Sequence, residues 1–366
     1  MKIAVIRKDW VRPGRAERYC ANLCRCLAAL GHEIYVLARS CDDDLHPAIR
    51  HVPVACTGLT SSARNWSFHA NAQKALRRLA VDRVYALSRS YPADAFRVSD
   101  PLHCSWMDIR YPGAVRNFIE RCNPRHRTIL ALEKAICNPA NTKAIITNSA
   151  LAKGQLLSAY VFPEERIKVV YNGVDLTRFT PADGKPSADF LQLLFVAQDF
   201  RRKGLSFIMQ ALARLKDAAI SCRLQVVGGD DQSSFRSEAD RLGVAEMVDF
   251  IGASKAVEDF YRSADLLVFP TQSDPFANVC LEALACGCPV MTTLNNGAAE
   301  VIEEEKTGYL LDCTLDTAVQ IARKIGLHAS LSRDRRRLMK EACRQTAEKF
   351  TIERNALETL AILENL

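Results

Sequence analysis

The 366-residue chain is 48% hydrophobic and 25% charged, a composition that excludes disordered and fibrous classes. Single cores stop growing at roughly 250 to 300 residues, so two domains are expected. Lys and Arg number 49 against 42 Asp and Glu, a net charge of +7 that suits anionic ligands, and no apolar run reaches the ~18 residues of a membrane span.

The opening Met1–Ile6 reads as a strand over Lys2–Ile6 followed by Arg7 and Lys8, without the longer apolar core of a signal peptide. The expected location is therefore cytoplasmic, with peripheral contact at the inner face of the plasma membrane as the further option. Ala16–Leu30 reads as a helix stopped by Gly31, and Glu33–Leu37 as a strand. The rhythm continues with strand Asp82–Leu87, helix Arg127–Cys137, strand Lys143–Thr147, helix Ala150–Tyr160 and strand Ile167–Tyr171. The segment Thr180–Pro186 is rich in turn formers and reads as the interdomain linker.

A second βα series follows: Leu191–Ala197, Gly204–Lys216, Arg223–Val227, Ser233–Leu242, Val248–Ile251, Val257–Ser263, Asp265–Pro270, Asn278–Cys286 and Val290–Thr293. The stretch from Asp316 to Leu366 is helical by pattern. Strands alternating with helices predict two doubly wound α/β domains, 1–176 and 177–345, with 346–366 as a helix returning to the first. Such sheets bind ligands at the carboxyl ends of their strands, which places the expected site in a cleft between the domains. The fourteen cysteines contain no CxxC pair and read as small buried hydrophobes rather than metal ligands.

Three stretches carry chemistry. Gly14 and Arg15 follow the first strand and open a helix, where backbone and helix amino end approach a phosphate or sugar oxygen, although the spacing is not that of a dinucleotide fingerprint. Arg201-Arg-Lys203 precede Gly204 at another helix entrance; cations there oppose the helix dipole unless an anion neutralises them, as a pyrophosphate does. Asp274 precedes a third helix and Glu282 lies one turn inside it, with the N–H groups of Ala277, Asn278 and Val279 expected free between them. Read locally, Arg202 and Lys203 also fit a solvated turn, and Asp274 a loop or capping carboxylate.

These segments resemble the retaining glycosyltransferases of the GT-B fold, glycosyltransferase family four. Asp274 to Glu282 is similar to its E-x7-E signature with Asp in the first place, followed by Ala285–Val290. Arg202-Lys203-Gly204, Asn148-Ser149, Asn172-Gly-Val-Asp175 with Phe179, and Gly14-Arg-Ala-Glu-Arg18 resemble further family segments. Val196–Gly204 and Arg125–Lys134 are similar to the lipopolysaccharide-core glucosyltransferases of that family, which act on an inner-core heptose.

The resemblance implies that Glu282 holds the nucleotide ribose, Asp274 the donor sugar, and Arg202 and Lys203 the diphosphate. No cofactor or metal is then required, and the configuration at the anomeric carbon is retained. Asp274 in place of Glu leaves the donor sugar open. Asp100 aligns by context with an acidic residue that faces the acceptor; as a turn or capping carboxylate it has an equal structural reading. Arg97, Arg110, Arg116, Arg121, Arg125 and Arg127, interleaved with Trp106, Tyr111 and Phe118, form a basic stretch over 97–127 that the resemblance places on anionic membrane. A solvated basic face is the alternative, and nucleic acid is not expected. The expected activity is hexosyl transfer, glucose foremost, from a nucleotide-diphosphate sugar to a lipopolysaccharide-core or other glycan acceptor; a sugar-nucleotide epimerase and a non-catalytic sugar-nucleotide binder are the alternatives.

Overall fold

The computed structural model describes residues 1–10, 15–41, 46–182, 189–313 and 315–366, without the side chains of residues 15–18. They form two compact units, Met1–Tyr171 with Ile352–Leu366, and Asn172–Thr351.

The first unit runs β1 (Lys2–Ile6), α1 (Arg15–Ala29), β2 (Glu33–Ala38), β3 (Ile49–Pro53), α2 (Ser61–Leu76), β4 (Arg83–Ala86), β5 (Ala93–Val98), α3 (His103–Arg110), α4 (Ala114–Cys122), α5 (Pro124–Ile136), β6 (Thr142–Thr147), α6 (Ala150–Ala159) and β7 (Ile167–Val169). Its described strands form a parallel sheet in the order β3-β2-β1-β4-β5-β6-β7, which reverses direction between β1 and β4. Gly31 ends α1 in the left-handed region (φ +87°), where its N–H donates to Ala28 O and that of His32 to Leu27 O. The helix expected from Arg127 starts earlier, at Pro124, because the Asn123 side chain caps it by accepting the Arg125 N–H.

The second unit runs β8 (Leu191–Val196), α7 (Leu205–Asp217), β9 (Cys222–Val227), α8 (Ser233–Arg241), β10 (Val248–Gly252), α9 (Val257–Ser263), β11 (Leu266–Phe269), α10 (Asn278–Ala285), β12 (Val290–Thr293), β13 (Gly308–Leu311), α11 (Thr317–Ala329) and α12 (Arg333–Ala347). The described strands are parallel in the order β10-β9-β8-β11-β12-β13, with the reversal between β8 and β11. Every residue of β11 and β12 is buried, as central parallel strands covered by helices on both faces must be.

The helical tail is three helices rather than one stretch, since Asp316 caps α11 and Ser332 caps α12. The last, α13 (Ile352–Glu364), belongs to the first unit. Its Ala356, Leu360 and Leu363 join Leu23 and Leu27 of α1 in one apolar cluster, and Asn355 Nδ2 donates to Tyr171 O at 2.5 Å. Full burial of a leucine such as Leu363 contributes roughly 1.5–3 kcal/mol, one of several such contributions that hold this helix in the cluster. The cysteines are free thiols; burial pushes Cys286 and Cys288 up to about 12, so neither is a nucleophile at neutral pH. No helix among the described residues is long and apolar enough to cross a membrane.

Candidate active site

In the second unit, β8 and β11 are neighbours on either side of the reversal, so the loops that leave their carboxyl ends stand side by side. The first carries Arg202 and Lys203 into α7, the second Asp274 into α10. Gly204 joins them. It has φ +86°, and a Cβ on it would lie 2.2 Å from Pro270 O, so no side chain fits at this crossing. Gln272 N–H donates to Arg202 O at 3.0 Å, and Arg202 Nη1 donates to Ser273 O at 3.0 Å.

Lys203 and Asp274, 7% and 13% exposed, form an ion pair through Nζ and Oδ2, and Asp274 Oδ1 accepts the Phe276 N–H at 3.1 Å. Arg202 Nε pairs with Asp199 Oδ2 at 2.9 Å. Burial pushes Asp199 up, but hydrogen bonds from the Arg202 backbone and guanidinium outweigh it and hold the carboxyl below its ordinary range. The repulsion between these cations and the α7 dipole is thus answered inside the protein by two carboxylates, of which the sequence analysis had placed neither in that role.

A third loop, after β12, completes the arrangement. Asp274 N–H donates to Asn295 O and Gly297 N–H to Asp274 O, both at 3.0 Å. Buried Asn296 accepts the N–H groups of Ala277 and Ala298 on Oδ1, each at 3.1 Å. The Ala277 N–H is therefore not free, contrary to expectation, because this side chain has taken it. Those of Asn278 and Val279 meet no acceptor among the described residues and remain available at the α10 entrance. Glu282, half-buried one turn further on, accepts the Tyr261 hydroxyl at 2.9 Å, while Asn278 Oδ1 accepts from Asn172 Nδ2 at 2.6 Å. Asn296, Tyr261 and Asp199 had no signal in the sequence beyond an ordinary turn, helix or loop residue.

In the first unit, Gly14 and the side chain of Arg15 lie outside the described residues; Arg15 itself opens α1. At the carboxyl ends of β1, β4 and β5 a cavity of ≈ 130 Å³ is lined by Arg7, Lys8, Arg89 and Asp100, among others. Asp100 is exposed and does not cap α3, because Glu133 accepts the N–H groups of His103 and Cys104 at 2.6 and 3.2 Å.

The basic stretch 97–127 needs correction. Arg97 is 1% exposed, lies 4.6 Å from the Tyr19 ring centroid and donates to Val170 O at 3.0 Å, so it is part of the core and not of a surface. Trp106 and Tyr111 are half-buried in a ring cluster with His103 and His126, Trp106 stacked on His103 and Tyr111 edge-on to His126. Burial lowers His103 to about 4, leaving it neutral in this cluster at neutral pH. The apolar surface is instead α4, which buries none of its side chains and exposes Val115, Phe118 and Ile119 at 75, 69 and 62%.

Two open parallel sheets, each with its own reversal point, and a pair of loops that bring cations and carboxylates to one of them define a GT-B glycosyltransferase. Residues 16–178 match the family described as Glycosyltransferase Family 4, and residues 179–346 that described as Glycosyl transferases group 1. The chain belongs to glycosyltransferase family four and is a transferase. It is 26% identical over 312 residues to lipopolysaccharide glucosyltransferase WaaG of Escherichia coli (strain K12), covering 81% of this chain and 82% of that one. The crystal structure of WaaG, a glycosyltransferase involved in lipopolysaccharide biosynthesis, superposes with a TM-score of 0.82 at 23% identity, covering 99% of each chain. Anabaena Alr3699/HepE in complex with UDP-glucose superposes at 0.73 and 18% identity over the whole of both chains.

Proposed function

We propose that the protein is a retaining hexosyltransferase that moves glucose from UDP-glucose to a lipopolysaccharide-core or related glycan acceptor. The observation that carries this reading is the meeting of the Arg202–Gly204 and Asp274–Glu282 loops at the reversal point of the second sheet, in a chain similar to a lipopolysaccharide glucosyltransferase. Arg202 and the N–H groups of Asn278 and Val279 receive the diphosphate, joined by Lys203 when the donor competes with Asp274 for its ammonium. Glu282 takes the ribose hydroxyls, and Asp274 the donor sugar. The acceptor hydroxyl attacks the anomeric carbon on the face that the leaving UDP vacates; the C–O bond to phosphate breaks as the new one forms, and the hydroxyl proton passes to the departing diphosphate. Asp100 is assigned the orientation of that hydroxyl. Charge developing on the diphosphate is met by fixed cations and dipoles, so the reaction is proposed to need no metal.

Incubating the protein with UDP-, ADP- and GDP-glucose, with and without a heptose-bearing lipid acceptor, tests the reading. The expected result is UDP release coupled to an α-glucosylated acceptor, unchanged by EDTA. An epimerised donor identifies an epimerase, and binding without turnover across the panel a non-catalytic binder; either overturns the proposal.

The α4 surface extends the reading to location. Val115, Phe118 and Ile119 lie at i, i+3 and i+4 on one face, flanked by exposed Arg110, Arg116 and Arg125. We propose that this face docks on the anionic inner leaflet of the plasma membrane, apolar side chains in the interface and arginines at the headgroups. Phe118→Glu is expected to reduce co-sedimentation with phosphatidylglycerol vesicles at least tenfold while leaving transfer to a soluble acceptor unchanged. Equal retention of wild type by neutral and anionic vesicles would reject the electrostatic part.

A further inference from the structure

The helix that opens beside the donor loops has one polar face. Every residue of α10 is buried except Asn278 and Glu282, which stand four positions apart and therefore one above the other. Each is held from outside the helix. Asn278 Oδ1 accepts from Asn172 Nδ2 at 2.6 Å, and Glu282 Oε2 accepts the Tyr261 hydroxyl at 2.9 Å. Glu282 Oε1 has no hydrogen-bond partner among the described residues. Arg178 lies within electrostatic range of Glu282 but pairs with Glu258 at 2.8 Å, so its charge is spent elsewhere.

Tyr261, on α9, is built to hold one position. It is 0% exposed, and its ring stands edge-on to buried Phe179 with 6.0 Å between centroids. A phenol in such a place needs an acceptor for its hydroxyl, because burying that group unpaired costs free energy. Phenylalanine would fill the same space without that demand. The hydroxyl therefore acts through the atom that it touches. Rotation of a glutamate carboxylate about its last dihedral is broad, and the bond to Oε2 fixes it, which sets the direction of Oε1. An ionised carboxylate only accepts, so Oε1 suits a ligand that donates, as the 2′- and 3′-hydroxyls of a ribose do.

We propose that Tyr261 is a positioning residue for nucleotide selection: by fixing Oε2 of Glu282 it presents Oε1 to the ribose diol and makes the site prefer a ribonucleotide over a deoxynucleotide. The proposal rests on the reading above in which Glu282 takes the ribose, and it names the residue on which that selectivity depends. The source is preorganisation. An acceptor already held in place gives up little side-chain freedom on binding, and the hydrogen bond that it forms is charge-assisted.

Calorimetric titration of the full chain with UDP and with 2′,3′-dideoxy-UDP reads the preference as a ratio of dissociation constants. Wild type is expected to favour UDP roughly tenfold or more, as the loss of a charge-assisted hydrogen bond implies. Glu282→Ala is expected to abolish the preference. Tyr261→Phe is expected to reduce it roughly threefold or more through weaker UDP binding alone, with the dideoxy affinity unchanged. That variant loses one oxygen atom and keeps the ring, so the packing of α9 is preserved. In transfer assays it is expected to raise KM for UDP-glucose while kcat changes little, since ribose contacts are the same in the ground and transition states. A hydroxyl that serves packing alone weakens both nucleotides alike. A Tyr261→Phe ratio equal to that of wild type therefore overturns the proposal, and if Glu282→Ala still removes the preference, the role of Glu282 stands. Wild type without a preference strikes the role of Glu282, and the proposal with it.

Discussion

Replacing Lys203 by Ala is expected to cost about 3–5 kcal/mol of stability in the second unit and to reduce glucosyl transfer roughly 100- to 1,000-fold. The stability loss comes from what is left behind. Asp274 is 13% exposed in the presence of its partner, and removing the ammonium strands a carboxylate among Phe276, Ala277 and the turn after β12. The loss in rate comes from a cation withdrawn from the diphosphate.

The two effects separate in a double variant. Lys203→Met with Asp274→Leu removes both charges and is expected to recover most of the unfolding midpoint, since a buried ion pair is often replaceable by apolar groups. Transfer is not recovered, because both ligand-binding groups are gone. Urea unfolding of the single and double variants, with initial rates of UDP release, reads both quantities. A midpoint for Lys203→Ala equal to that of wild type would show that the pair does not hold the two loops together.

That pairing was not legible in the sequence, and the reason is distance. Lys203 and Asp274 are 71 positions apart, and each taken alone is a polar residue beside a glycine or a turn, free for a ligand. The elements that carry them were legible, because β8, β9 and β11 are fully or mostly apolar runs between helices with a clear buried face. In the first unit the same reading passes over β5, whose Arg97 looks like a surface residue but stacks on Tyr19 inside the core. It also passes over α2, which buries Phe68 and Ala72 among polar neighbours and offers no periodic apolar stripe. For α4 the sequence drew the eye to arginines and aromatics, whereas exposure singles out Val115 and Ile119, which the described residues leave mostly uncovered. Local chemistry is visible in a sequence; which polar groups spend themselves on one another depends on topology.

Gly204→Ala tests the topology directly, because the substitution adds one methyl group at the crossing of the two loops. Two costs combine there. A non-glycine residue in the left-handed region carries roughly 1–2 kcal/mol, and the new Cβ would stand 2.2 Å from Pro270 O, a backbone atom that retreats only by moving the loop leading to Asp274. Gly31 isolates the first cost: it has nearly the same φ, +87°, but no described residue lies within 4 Å of its Cβ position. Gly31→Ala is therefore expected to lower stability by about 1 kcal/mol and leave transfer unchanged. Gly204→Ala is expected to lose more stability and, because a displacement of about 1 Å in a positioning loop suffices for a 100-fold effect, to reduce transfer by at least that factor. Thermal midpoints and initial rates of the two variants, measured side by side, decide it. If Gly204→Ala loses no more than Gly31→Ala in either quantity, the close approach of the loops is not what positions the donor site.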